Sequence, residues 1–230
     1  MLFYYNFFHS YYIQSAIEHL DFIKIMKITL YQDDLPENHK LANVKSVAID
    51  AESLGLNYLE RDKLCLLQLC SGDNEVYIIQ FDRNKYKSPN LCKILEDKNI
   101  LKIAHFARFE IGILKHYLNV DVKNVYCTKI ASKLSRTYTD KHGLYDITKE
   151  LLNITLNKAQ QSSDWGSKEL SEEQKQYAAS DVIHLHKLKE KLDIMLKRED
   201  RMHLAEQCFS FLTTRVELDL NGWNEDIFSH

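Results

Sequence analysis

The chain has 230 residues, 45% of them hydrophobic and 27% charged, with a formal net charge of −3. That length and mix allow one substantial core or at most two small ones, and exclude a disordered or fibrous chain. The near-neutral balance of 30 Lys+Arg against 33 Asp+Glu also excludes a global basic field for gripping long duplexes.

Residues 1–25 (MLFYYNFFHSYYIQSAIEHLDFIKI) are rich in aromatics. They lack the basic start, continuous apolar core and cleavage site of a signal peptide, and no apolar run approaches the ~20 residues that span a bilayer. Met26 is a reasonable true start, so 1–25 is expected as an extension and 26–230 as a single domain. Six Gly and two Pro leave little material for a linker.

Strands are expected at 46–52, 64–70 and 75–80, the last two joined by the turn SGDN, giving an antiparallel meander. Asp50 and Glu52 lie two apart on the first of these, so they share a face. A helix near 89–97, a strand at 100–105, a helix at 107–118 and a short strand near 124–128 follow. Glu110 then sits in the first turn of its helix, where an acid also suits the macrodipole. Beyond 128 the pattern is helical: 128–135, 143–152, 171–196 and 199–212. Ser171 and Gln174 form a capping box for the long third helix. Tyr177 and Asp181 are four apart on it and therefore neighbours on one face. Strands first, then alternating elements, predict an α/β mixed sheet flanked by helices with a helical C-terminal half.

Each acidic fragment alone has an ordinary reading as a solvated strand end or helix charge. Taken in order, Asp50 and Glu52, then Glu110, then Tyr177 and Asp181 describe a carboxylate site for divalent metal that hydrolyses a phosphodiester. The five cysteines (Cys65, Cys70, Cys92, Cys127, Cys208) show no C-x-x-C pairing; the odd count argues for a reducing compartment, here the cytoplasm, and against a disulfide framework. Histidines are scattered, without clustered zinc ligands. Segment 129–142 is locally basic, with Lys129, Lys133, Arg136, Lys141 and His142 against Asp140. It reads either as a path for a phosphate backbone, with Arg136 and Lys141 the best candidates, or as a solvated face. Trp165 is either a stacking platform or a buried loop anchor. Leu54 and Phe109, beside the acids, are either wedges against a terminal base or packing residues. His105 is either near the site or a satisfied buried histidine.

The stretches AIDAESLGL, LCLLQLCSGD, AHFARFE, CTKIASKLSRTYTDKHGL, QQSSDWGSKELSEEQKQYAASDV and LDLNGWNEDIFSH carry a resemblance. From about residue 28 onward the chain resembles ribonuclease D, of the DEDD superfamily of 3′-to-5′ exonucleases, tyrosine branch, in a short single-domain form. The resemblance implies a ribonuclease H-like fold and 3′-to-5′ exoribonuclease activity. The product would be nucleoside 5′-monophosphates, and the role RNA (tRNA) 3′ processing or turnover. It implies two divalent ions, Mg²⁺ or Mn²⁺, with Asp50 bridging both, Glu52 and Asp181 on the first and Glu110 on the second. Tyr177, with a reference pKa of ~10, suits orienting water better than acting as a base. The partner would be the single-stranded 3′ end of RNA, with DNA an alternative and no membrane. A further alternative is a catalytically weak RNA-binding scaffold, because the family's third acid is aspartate and the matching residue here is Glu110.

Overall fold

The computed structural model describes residues 26–229; the extension expected over 1–25 lies outside the described residues. Among the described residues six strands form one sheet in the order β1-β4-β3-β2-β5-β6. The antiparallel meander is present: β2 (Ser46–Ser53), β3 (Leu64–Cys70) and β4 (Glu75–Gln80) pair in succession. Every residue of β3 and β4 is buried, the pattern of strands covered on both faces. The β3–β4 turn needs Gly72, whose φ of +91° L side chains rarely adopt and whose added Cβ would lie 3.1 Å from the His186 ring. β5 (Leu101–Ala104) pairs parallel with β2, and β6 (Val125–Cys127) parallel with β5. One strand was not expected: β1 (Lys27–Gln32) adds parallel to β4 at the sheet edge, with Lys27 opposite Glu75 and ion-paired to it at 2.6 Å.

The helices are α1 (Pro89–Glu96), α2 (Ala107–Leu118), α3 (Thr128–Ser135), α4 (Leu144–Leu152), α5 (Glu172–Ile183), α6 (Leu185–Arg198) and α7 (Met202–Leu220), with a 3₁₀ turn at Lys40–Asn43. Two expectations need correction. The helix expected over 171–196 is two helices, interrupted at His184, whose φ −96°, ψ −8° deviate from ideal helical values. The break lets α5 lie across β2, β3 and β4 while α6 packs on α3 and β5. The last helix runs to Leu220 rather than 212.

Two polar devices brace this frame. Lys102, without exposed surface, donates from Nζ to the carbonyls of Asp97 (2.6 Å), Ile100 (2.7 Å) and Ile94 (3.4 Å), tying β5 to the C-terminal end of α1. On the other side Arg108 of α2 makes a bidentate pair with Asp219 of α7, at 2.7 and 2.6 Å, and Arg215 donates to the same carboxylate at 2.8 Å. That clamp holds α2, and with it Glu110, against the C-terminal helix. Gly112 lets α2 approach closely, since a Cβ there would come 2.1 Å from the Tyr58 hydroxyl.

Candidate active site

Strand pleating and helix periodicity deliver the acids to one place. Asp50 and Glu52 project from the same face of β2. α5 starts cleanly because its capping box forms: Gln174 N donates to Ser171 Oγ at 3.2 Å, and Ser171 N to Gln174 Oε1 at 2.9 Å. The helix then carries Asp181 over that face. One carboxylate oxygen each from Asp50, Glu52 and Asp181 lie within 4.8 Å of one another. Glu110 comes from α2. It is 4% exposed, bonded to the backbone of Ala51 between the two β2 acids, and its Oε2 is buried without a hydrogen-bond partner.

Electrostatics follow from that crowding. Burial, then the charge of Asp181, lifts Asp50 well above the usual carboxylate range. Burial, Asp50 and Asp181 push Glu52 to about 10. Burial, Asp50 and Glu52 raise Glu110 as well. Asp181 is raised to about 7 by burial, against a hydrogen bond from Tyr177 that favours its anion. Tyr177 is driven far above its ordinary range by burial and then by Asp181, Glu52 and Asp50, so its hydroxyl stays protonated. An all-oxygen set whose members repel one another, with one buried oxygen left without a partner, fits a hard divalent cation. These four carboxylates would hold it.

The surrounding residues divide. Leu54 is 47% exposed beyond Glu52 and lies against Gly166. Phe109 is partly buried, edge-on to Tyr58 with centroids 5.6 Å apart. His105 is tied through Nδ1 to Thr128 Oγ1 at 2.9 Å; burial and then Lys129 push its pKa down to about 3, so it is neutral. Lys129 places its ammonium 4.1 Å from the ring centroid of Phe106. Trp165 is buried beneath Tyr177, with ring centroids 5.8 Å apart, so it anchors its loop. Lys141 is exposed. Arg136 corrects the expectation of a surface phosphate contact. It has no exposed surface; its guanidinium pairs with Glu150 and donates to Ser132 Oγ (2.9 Å) and the Lys141 carbonyl (2.7 Å). The chain turns at the end of α3, and the guanidinium supplies the donors that the turn needs.

Two residues escaped sequence reasoning. Phe106, the residue before α2, is in the left-handed region at φ 62°, ψ 41°, with its ring 45% exposed. No local sequence pattern announces it, because its exposure follows from that left-handed backbone. The second, Gln68, sits within an apolar strand and carries no sequence signal.

Residues 31–197 match the family model described as 3′-5′ exonuclease. The chain belongs to that family. It is a 3′-5′ exonuclease domain of the DEDD, divalent-metal-dependent class, with the ribonuclease H-like fold. Among solved structures, Brucella melitensis NrnC with bound Mg²⁺ is 49% identical with a TM-score of 0.85, covering 89% of this chain and 100% of that one. The same protein has been solved bound to pGG. Among curated proteins, DNA polymerase I of Aquifex aeolicus is 32% identical over 178 residues, 77% of this chain and 28% of the polymerase. Ribonuclease D of Gluconacetobacter diazotrophicus is 30% identical over 140 residues, 61% of this chain and 35% of that protein. The chain thus spans about a third of the length of these two curated relatives.

Proposed function

We propose that this protein is a 3′-to-5′ exoribonuclease that removes nucleoside 5′-monophosphates from single-stranded RNA 3′ ends, in RNA processing or turnover. The observation that carries the reading is the convergence of Asp50, Glu52 and Asp181 within 4.8 Å, with Glu110 and Tyr177 beside them. A scaffold protein has no use for that cluster. Two divalent ions, Mg²⁺ or Mn²⁺, held by Asp50, Glu52, Glu110 and Asp181, would supply Lewis acidity at the scissile phosphate and acidify the attacking water. The chain's own contribution is positional. The Tyr177 hydroxyl, protonated and directed at Asp181, orients the water in line with phosphorus. The water oxygen bonds to phosphorus, the bond to O3′ of the preceding nucleotide breaks, and that oxygen leaves with a proton as a new 3′ end.

Substrate contacts are assigned to exposed and half-buried groups around the cluster. Leu54 and Phe109 border the terminal base, Lys129 and Lys141 meet phosphates, and His105 supports the loop leading to Glu110. An RNA substrate is supported by the ribonuclease D relatives and by the NrnC relative bound to pGG. DNA is the second reading, favoured by the similarity to a DNA polymerase I. Residues 26–230 are read as one exonuclease domain. The cytoplasm is its proposed compartment, supported by five unpaired cysteines; among the described residues no helix is long and apolar enough to cross a membrane.

The test is digestion of matched end-labelled RNA and DNA oligomers with Mg²⁺ and with Mn²⁺. Stepwise release of 5′-monophosphates from the RNA 3′ end is expected. Faster digestion of DNA would transfer the assignment to a deoxyribonuclease, and no cleavage with either metal would leave a scaffold.

A further inference from the structure

Gln68 has no exposed surface, and neither its Oε1 nor its Nε2 has a hydrogen-bond partner. A primary amide carries two donors and an acceptor, and leaving such a group buried and unpaired destabilises a fold. Its neighbours along β3 are Leu66, Leu67 and Leu69, all without exposed surface. An apolar residue would suit a strand at the centre of a sheet better.

Its register gives the amide a use. β2 and β3 run antiparallel with Asp50 opposite Gln68. Directly opposed residues project from one face with Cβ atoms ~4.5–5.5 Å apart. That face is the one α5 crosses, because Asp181 on α5 meets Asp50 there. The amide therefore stands beside a carboxyl group of the proposed metal site.

We propose that Gln68 is a positioning residue for the metal site: when cations are bound, its free amide turns to donate from Nε2 to the Asp50 carboxylate, so that the carboxylate's remaining lone pairs face the cations. The proposal rests on the metal-site reading above. The residue type suits the task. A lysine would add a competing cation, and a glutamate would add a fifth carboxylate to a set that already repels itself. An amide fixes an oxygen without changing the charge. Donors that bond to a metal's ligands rather than to the metal orient those ligands, and their loss typically lowers metal affinity about 10- to 100-fold.

The experiment measures Mn²⁺ affinity, by the electron paramagnetic resonance signal of free ion, together with Tm in chelator. It uses the full chain and the variants Gln68→Met and Gln68→Asn. Gln68→Met removes the unpaired amide at similar length, so Tm should hold or rise while Mn²⁺ affinity falls about 10- to 100-fold. Gln68→Asn is smaller and keeps the amide one methylene short of Asp50, so it should fold and lose affinity in the same direction. A residue that only fills the strand would move Tm and leave affinity alone. Wild-type affinity in both variants therefore overturns the proposal. A wild-type chain that binds no Mn²⁺ overturns the metal-site reading, and this proposal with it.

Discussion

Two of the regions that bury charge do it in opposite ways. Around Arg136 one guanidinium is enclosed by acceptors: the Glu150 carboxylate, Ser132 Oγ and the Lys141 carbonyl. At the acid site Asp50, Glu52, Glu110 and Asp181 are enclosed mainly by one another, and their pKa values rise instead of falling. A buried charge whose partners all lie within the chain is part of the architecture. A set of like charges lacking an internal counter-charge is arranged for something that binds. Arg136 looked functional in the sequence because a basic residue in a basic stretch gives no sign of which way it points.

The comparison can be broken most sharply at Asp50. Asp50→Ala should lower kcat by about 10³-fold or more, since a metal clamp supplies several kcal/mol of transition-state stabilisation at about 1.4 kcal/mol per tenfold. Tm should hold or rise, because one member of a mutually repelling set is gone. Comparable Mg²⁺-dependent turnover would remove Asp50 from the site. Tyr177→Phe is expected to cost about 10²-fold in kcat with metal affinity intact, as only a positioned hydroxyl is lost; an unchanged rate at saturating RNA removes Tyr177 from the reaction.

Arg136→Met should show the reverse profile. It strands the Lys141 carbonyl and takes one of two partners from Ser132 Oγ, so urea denaturation should report a loss of about 1–3 kcal/mol, with kcat per folded molecule unchanged. A variant that folds normally but binds RNA poorly would return Arg136 to the substrate path. Glu110→Asp sharpens the acid side. Glutamate carries its carboxylate one carbon farther from α2 than the family's aspartate, and Mg²⁺ tolerates distorted geometry poorly. The variant should therefore raise the Mg²⁺-supported rate relative to the Mn²⁺-supported one. A slower reaction with both metals would mean that the site is built for glutamate. The smallest effect is expected at exposed Lys141. Lys141→Ala should weaken binding modestly and reduce the slope of log affinity against log salt by about 0.7, the share of one phosphate contact on a single strand; an unaltered slope would place Lys141 off the backbone path.

Much of this molecule was legible in order and period. Alternation placed β2 near its observed bounds, runs flanking the SGDN turn placed β3 and β4, the Ser171–Gln174 box placed the start of α5, and i, i+4 spacing put Tyr177 beside Asp181. β1 was not legible, because a short edge strand is decided by the partner it finds, here β4 through Lys27 and Glu75. The break at His184 was not legible either: no Pro or Gly marks it, and it is set by α5 lying on the sheet while α6 turns onto α3. The same holds for Phe106, whose exposure depends on a left-handed residue at a helix start.

The sequence by itself determined which side chains could do chemistry and which face of each element they occupy, since those follow from periods of two and 3.6 residues within a single element. Only the tertiary structure decided which charges are compensated, because compensation joins residues far apart in the chain. Arg108 meets Asp219, Arg136 meets Glu150, Asp50 meets Asp181, and Gln68 is left without a partner of its own. Burial then turns each of those meetings into an energy that no local pattern encodes.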